Sequence, residues 1–153
     1  MGKYLLLMFC FLLNVAVQDD YTLQLLPTDR GARCLDGSPA GFLYHRGTSP
    51  NDKKFIIYMD SGGFCGGFTL EDALESCYKR SKTGLGTTTK YPPHKNLDNL
   101  GLLSTDPKRN PVFHDWTKIF LIYCDGSEYT GNKTDPIAYK DTKLYFRGHS
   151  NVL

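Results

Sequence analysis

The chain has 153 residues, of which 41% are hydrophobic and 22% charged, and its formal net charge is +2. This length and composition are typical of one globular domain with its own core and argue against a disordered chain. No lysine or arginine cluster is longer than a pair, so the sequence has no electrostatic footprint for nucleic acid or an anionic membrane surface.

The first segment has the pattern of a secretory signal peptide. Lys3 lies in the charged start, and an apolar run over residues 4–17 follows it. The run is shorter than the roughly 20 residues that a membrane-spanning helix needs, which favours cleavage over stable membrane insertion. We therefore predict a signal peptide over residues 1–17, a single domain over residues 18–153, and a protein that is secreted or retained in the lumen of the secretory pathway.

Two further features agree with the secretory route. Without the signal segment the chain keeps an even number of cysteines, as is common in oxidising compartments; these are Cys34, Cys65, Cys77 and Cys124. Asn132-Lys133-Thr134 is a glycosylation sequon in a polar stretch, so we predict a glycan on Asn132.

The first predicted elements are two short strands, Tyr21 to Leu26 and Gly41 to Tyr44, which can pair as a hairpin across a turn-rich segment. Two continuous apolar runs follow later in the chain, Phe55 to Met59 and Lys118 to Tyr123. Such runs are typical of strands that are covered on both faces in an α/β sheet.

One helix is predicted between those two runs, with Thr69 as its N-cap. Acidic residues lie toward its start and basic residues, including Arg80, lie at its end, which is the order that the helix dipole favours. Its apolar stripe has helical spacing and consists of Leu70, Ala73, Leu74, Cys77 and Tyr78. The composition of residues 83–111 predicts a long surface connection with one helical turn near residues 97–103. The order of strands and helix along the chain predicts an α/β layered fold.

Two strand ends carry the candidate chemistry. Gly62 and Gly63 come directly after an apolar strand and Asp60, where bare backbone N–H groups can point at negative charge on a carbonyl oxygen. A tight turn is the alternative interpretation. The loop that follows Cys124 offers pocket candidates at a sheet edge, with a polar turn as its alternative; these candidates are Asp125, Gly126, Ser127 and Tyr129.

The cysteine spacing indicates disulfides rather than a metal site. A turn and a helix can return Cys77 to Cys65, which leaves Cys34 for Cys124. No C-x-x-C occurs and the four histidines are scattered, so we predict neither a metal nor a cofactor. The sequence also has no G-x-S-x-G motif, and none of its serines lies on a strand-to-helix elbow of that kind.

Four ordered motifs resemble the pectin acetylesterase and Notum family, and the resemblance extends from about Thr22 onward. The motifs are Cys34-Leu35-Asp36-Gly37-Ser38-Pro39-Ala40-Gly41, Asp60-Ser61-Gly62-Gly63-Phe64-Cys65, Tyr123-Cys124-Asp125-Gly126-Ser127-Glu128-Tyr129-Thr130-Gly131 and Phe146-Arg147-Gly148. Family members are secreted serine carboxylesterases with an α/β-hydrolase fold that remove acyl groups from a polysaccharide or a protein.

The resemblance implies roles for particular residues. Gly62, Gly63 and Phe64 match the oxyanion-hole loop, and the cysteines match family disulfides in the pairing given above. Three positions depart from the family pattern, which has Glu at Asp60, Gly at Ser61 and Trp at Phe64. Phe64 keeps an aromatic wall but lacks the indole N–H donor.

The resemblance covers only the amino-terminal portion of the family's domain, because the nucleophilic serine and the Asp and His of its triad have no counterpart in these 153 residues. We therefore expect a partial α/β-hydrolase-like sheet that is inactive by itself and belongs to an esterase acting on an acylated polysaccharide or protein. The alternative is a non-catalytic secreted module that binds carbohydrate or protein.

Overall fold

The computed structural model describes residues 20–48 and 50–153. The signal peptide predicted over residues 1–17 lies outside these residues. Within the described residues, no helix has both the length and the apolar character needed to cross a membrane.

A five-stranded mixed sheet forms the centre of the molecule. Its strands are β1 (Tyr21–Leu25), β2 (Gly41–His45), β3 (Phe55–Met59), β4 (His94–Lys95) and β5 (Thr117–Leu121). Their spatial order is β3-β5-β2-β1-β4, and only β3 and β5 run parallel to each other. The predicted pairing of the first two strands is confirmed, whereas the short β4 arises inside the segment that the sequence predicted to be a surface connection.

The parallel register aligns the carboxyl ends of β3 and β5. Met59 lies opposite Leu121, and the Asp60 N–H donates to the Leu121 carbonyl over 3.1 Å. The glycine loop after β3 and the Cys124 loop after β5 therefore leave the sheet at one edge, which is where open α/β sheets bind ligands.

The predicted helix is present as α1 (Leu70–Ser81). Thr69 caps it in a reciprocal arrangement with Asp72, in which the side chain of each accepts a backbone N–H of the other. Cys77 is buried as predicted, but Leu70 is 72% exposed, so the apolar stripe reaches the core only from the second turn onward.

A small antiparallel hairpin, β6 (Ile137–Tyr139) and β7 (Thr142–Leu144), packs on α1 and was not predicted from the sequence. The Tyr139 hydroxyl donates to Glu71 on the helix over 2.6 Å. Three-residue strands are too short for a readable alternation of apolar and polar residues, which is why the pattern missed them.

The main core lies on one face of the sheet. Tyr21, Leu43 and Phe120 are buried there, and Leu97 and Leu103 cover them from the long connection. The Tyr21 hydroxyl donates to the Leu103 carbonyl over 2.6 Å. The predicted helical turn in this region is present as a 3₁₀ segment, Asp98–Leu103.

The opposite face of β3 is open to solvent, contrary to the expectation of a strand covered on both sides. Phe55, Ile57 and Met59 are 54%, 63% and 50% exposed, and β3 is the outermost strand of the sheet. Across the described residues nothing pairs with its free edge. An apolar edge strand of this kind is a template for association with another chain.

We expect the chain to self-associate through β3, because the free edge and the exposed apolar face are on the same strand. Ile57→Lys should shift the chain toward monomer, since a charge on an edge strand opposes edge-to-edge pairing. Analytical ultracentrifugation over a concentration series measures the effect. Val112→Lys is the matched control, because Val112 is also 63% exposed but belongs to no strand. An equal effect of both substitutions would contradict the role of β3.

Candidate functional site

The glycine loop is held at both ends and unbonded in its middle. The Asp60 N–H donates to Leu121 and the Cys65 N–H donates to the Gly126 carbonyl over 2.9 Å. Between them, the N–H groups of residues 62–64 donate to no acceptor in the described part of the chain. All three residues are exposed, so their backbone donors are open to solvent or to a ligand.

Backbone conformation explains part of the glycine requirement. Gly63 has a φ of +70°, a left-handed conformation that glycine adopts without the steric cost of a β-carbon. Gly62 has no such constraint, and a β-carbon built on it would lie 3.7 Å from its nearest neighbour, Arg80. Neither backbone conformation nor a steric clash therefore requires a glycine at position 62.

A cavity of about 460 Å³ lies between the two loops. Phe64 forms one wall and is 71% exposed, while Gly126 and Ser127 form the other. Of the four predicted pocket residues these two line the cavity, whereas Asp125 is fully buried and Tyr129 lines a second cavity with Asp60 and Ser61.

Asp125 is completely buried and organises its own loop. Its carboxylate accepts the Ser127 N–H at 3.0 Å, the Tyr129 N–H at 3.2 Å and a short hydrogen bond from the Ser127 hydroxyl. These bonds hold Glu128 and Tyr129 in left-handed conformations, with φ values of 50° and 62°. Such backbone costs about 1–2 kcal/mol per residue and persists only where neighbours enforce it.

Tyr129 joins the two strand ends. Its hydroxyl lies 3.1 Å from both the Asp60 carbonyl and the Leu121 carbonyl. Burial, together with the charges of Asp60 and Asp125, raises the pKa of Tyr129 far above its ordinary value. The phenol therefore stays protonated and continues to donate across the physiological range.

Asp60 is half-buried at the base of the glycine loop. Burial raises the pKa of its carboxyl, and a hydrogen bond from the Ser61 N–H and the charge of Lys95 partly oppose that increase. The carboxylate therefore bonds to the backbone at the start of the glycine loop.

Arg80 is a member of the site that the sequence analysis assigned only to the helix dipole. Its Nη1 donates to the Gly62 carbonyl over 3.1 Å. The available signal was spacing, because residues three apart share a helix face and Cys77 was already predicted to bond to Cys65 beside the loop.

Two disulfides fasten the site in the pairing that the sequence predicted. Cys65–Cys77 joins the glycine loop to α1, and Cys34–Cys124 joins the early turn region to the end of β5. Both bonds lie within a few residues of the cavity, so they restrict the loops that form it.

The sheet order and the paired loops at its carboxyl edge define a partial α/β-hydrolase fold. The Wnt deacylase Notum from Drosophila matches the structure with a TM-score of 0.71 at 24% identity, over 87% of this chain and 36% of that chain. A likeness at this identity concerns the fold alone.

The family follows from the sequence comparison. The Pectinacetylesterase family model matches residues 15–153, and the chain belongs to that family. It is 34% identical to pectin acetylesterase 4 from Arabidopsis thaliana over 78% of this chain and 27% of the relative. It is 27% identical to the palmitoleoyl-protein carboxylesterase NOTUM from Schmidtea mediterranea over 84% of this chain and 22% of the relative. The chain thus spans about a quarter of the length of these curated relatives.

Alanine substitutions should show how much stability depends on a glycine at each of three positions, 62, 63 and 126. Gly62→Ala should leave the free energy of unfolding nearly unchanged, and Gly63→Ala should lower it by about 1 kcal/mol through backbone strain alone. Gly126→Ala should cost about 3 kcal/mol, because its φ is +68° and its β-carbon would lie 2.6 Å from the Cys65 sulfur. Chemical denaturation of the three variants tests this order, and a large loss for Gly62→Ala would contradict it.

Asp60 should make stability depend on pH in a defined direction. Because its pKa is raised in the folded state, the folded state holds this proton more tightly, and stability falls as pH rises from the ordinary aspartate pKa through the raised value. Asp60→Asn should remove this contribution, so the variant should gain stability relative to the parent chain across that window. Denaturation midpoints of both proteins across the acid range measure the difference, and a constant difference would contradict the assignment.

Proposed function

We propose that this chain forms the oxyanion-hole portion of a secreted serine carboxylesterase that removes acyl groups from a polysaccharide or a protein. The observation that carries the proposal is the run of three free amides at residues 62–64, of which Phe64 lines the cavity. Membership of the pectinacetylesterase family supports the reaction class.

In the proposed reaction the ester carbonyl oxygen lies against the N–H groups of Gly62, Gly63 and Phe64. A serine hydroxyl attacks the carbonyl carbon, its proton passes to a histidine, and the carbonyl electron pair moves onto the oxygen. Preorganised N–H groups stabilise that charge, and loss of one such donor typically lowers kcat 10²- to 10³-fold. The proposal assigns the serine and the histidine to the share of the relatives' length that this chain does not span.

The cavity beside the loop suits the acyl side of such an ester. Phe64 supplies an apolar wall, and Gly126 and Ser127 face it across the opening. The relatives named above are a pectin acetylesterase and a palmitoleoyl-protein carboxylesterase, so an acylated polysaccharide and an acylated protein are both candidate substrates.

The proposal includes passage through the secretory pathway. The apolar run over residues 4–17 supports it, and so do the two disulfides. Asn132 is exposed, as a glycosylation site must be, and its sequon is proposed to carry a glycan.

The decisive experiment concerns the coding sequence that follows the codon for Leu153. We expect it to encode a Gly-x-Ser-x-Gly elbow, and we expect the longer product to hydrolyse 4-nitrophenyl acetate and to react with a fluorophosphonate probe. The elbow serine changed to alanine is the control and should abolish both signals. The 153-residue chain by itself should show no turnover above buffer.

Two outcomes would contradict the proposal. Several hundred downstream bases without such a motif in any frame would leave the non-catalytic binding module as the better explanation. Stoichiometric fluorophosphonate labelling of the 153-residue chain would show that the nucleophilic serine lies within these residues.

A further inference from the structure

The Arg80 guanidinium joins three segments at the glycine loop. Besides the 3.1 Å bond from Nη1 to Gly62, its Nε donates to the Leu85 carbonyl over 3.3 Å. Its Cζ lies 4.9 Å from the centre of the Tyr123 ring, which fixes the plane of the group by a cation–π contact. The end of α1 is thereby tied to the loops that follow β3 and β5.

The hydrogen bond from Arg80 to the Gly62 carbonyl sets the direction of the Gly63 N–H. The Gly62 carbonyl and the Gly63 N–H belong to one planar trans peptide, so they point in opposite directions. A donor that holds the carbonyl on the helix side therefore turns the Gly63 N–H toward the other side. Charge-assisted hydrogen bonds are stronger than neutral ones, and a bond to the carbonyl polarises the amide and strengthens its N–H as a donor.

Little else restrains this peptide. No atom lies within 4 Å of a β-carbon built on Gly63, and the amides of residues 62–64 donate to nothing in the described part of the chain. Glycine has the largest backbone freedom of any residue, so a Gly-Gly peptide without a side-chain tether would sample several orientations. Arg80 is the one side chain of the described residues that donates to it.

The guanidinium charge is also uncompensated. Arg80 forms no ion pair within the described residues, and its Nη2 is buried without a hydrogen-bond partner there. A buried polar nitrogen without a partner is costly and calls for an explanation. A positive group directly behind an oxyanion site supplies one, because negative charge that develops there compensates it.

We propose that Arg80 is the positioning residue of the oxyanion hole: it fixes the Gly62–Gly63 peptide so that the Gly63 N–H faces the developing negative charge. This inference rests on the proposed function for its catalytic consequence, whereas the orientation of the peptide is a property of the chain itself. A purely structural role at the end of α1 is the competing explanation.

The first experiment measures the Gly63 amide directly. In the 15N-glycine-labelled chain, kept below the concentration at which it associates, Arg80→Met removes every donor but keeps an unbranched stem. Loss of the bond to the Gly62 carbonyl should move the Gly63 15N resonance upfield while Gly66 and Gly67 keep theirs. Lys79→Met is the matched control, because within the described residues the Lys79 side chain makes one ion pair, a 3.3 Å surface pair with Glu75.

A second variant protects the test against misfolding. Arg80→Lys keeps the charge but supplies a single donor position, so it cannot reach both Gly62 and Leu85 in the forked geometry of a guanidinium. Its Gly63 resonance should lie between those of the parent chain and Arg80→Met. A Gly63 resonance that stays fixed in Arg80→Lys, or in a folded Arg80→Met, would overturn the proposal, as would displacement of all loop glycines together.

The second experiment uses the longer esterase defined above. Arg80→Met should lower kcat about 100-fold with little change in KM, Arg80→Lys should recover part of that loss, and Lys79→Met should have no effect. A shifted Gly63 resonance with unchanged kcat would overturn the positioning role. A shifted resonance in a protein without esterase activity would contradict the proposed function and leave the Arg80 orientation of the peptide standing.

Discussion

The parallel pairing of β3 with β5 is the constraint on which the rest of the site depends. Strand registry places Met59 opposite Leu121, and the Tyr129 hydroxyl lies 3.1 Å from the carbonyls of Asp60 and Leu121. A shift of one residue would turn every side chain of β3 to the opposite face and would separate the two loops. Each disulfide then secures one of these loops, Cys65–Cys77 to α1 and Cys34–Cys124 to the early turns.

The buried polar side chain beside these strand ends fixes the conformation of a loop. Asp125 is sequestered from solvent, but the backbone and hydroxyl donors of its own loop satisfy its carboxylate, so the usual cost of a buried charge is offset by hydrogen bonds. The result is a rigid wall that presents Gly126 and Ser127 to the cavity. Arg80 likewise bonds to backbone, at the Gly62 and Leu85 carbonyls. Asp125 thus fixes the loop after β5, and Arg80 bonds to the loop after β3.

The elements that the sequence predicted correctly are those with strong local signals. The N-cap Thr69 and the helical spacing of the apolar residues after it predicted α1. The two continuous apolar runs predicted β3 and β5. The prediction that β3 is buried on both faces was wrong. Phe55, Ile57 and Met59 are apolar, but their exposure depends on which segments cover them in the fold. The hairpin of β6 and β7 was missed because its stability comes from packing on α1 rather than from its own residues.

The sequence by itself determined the glycine pair after a strand, the cysteine pairing and the motif order that defines the family. The first and the last depend on residue identity, and the pairing follows once Cys65 is joined to Cys77, 12 residues away, because only Cys34 and Cys124 then remain outside residues 1–17. Only the tertiary structure decided that Asp125 is internal, that one face of β3 is open, and that Arg80 reaches the Gly62 carbonyl. The physical reason is distance along the chain: Arg80 is 18 residues from Gly62, and a contact of that separation exists only after α1 has docked beside the sheet.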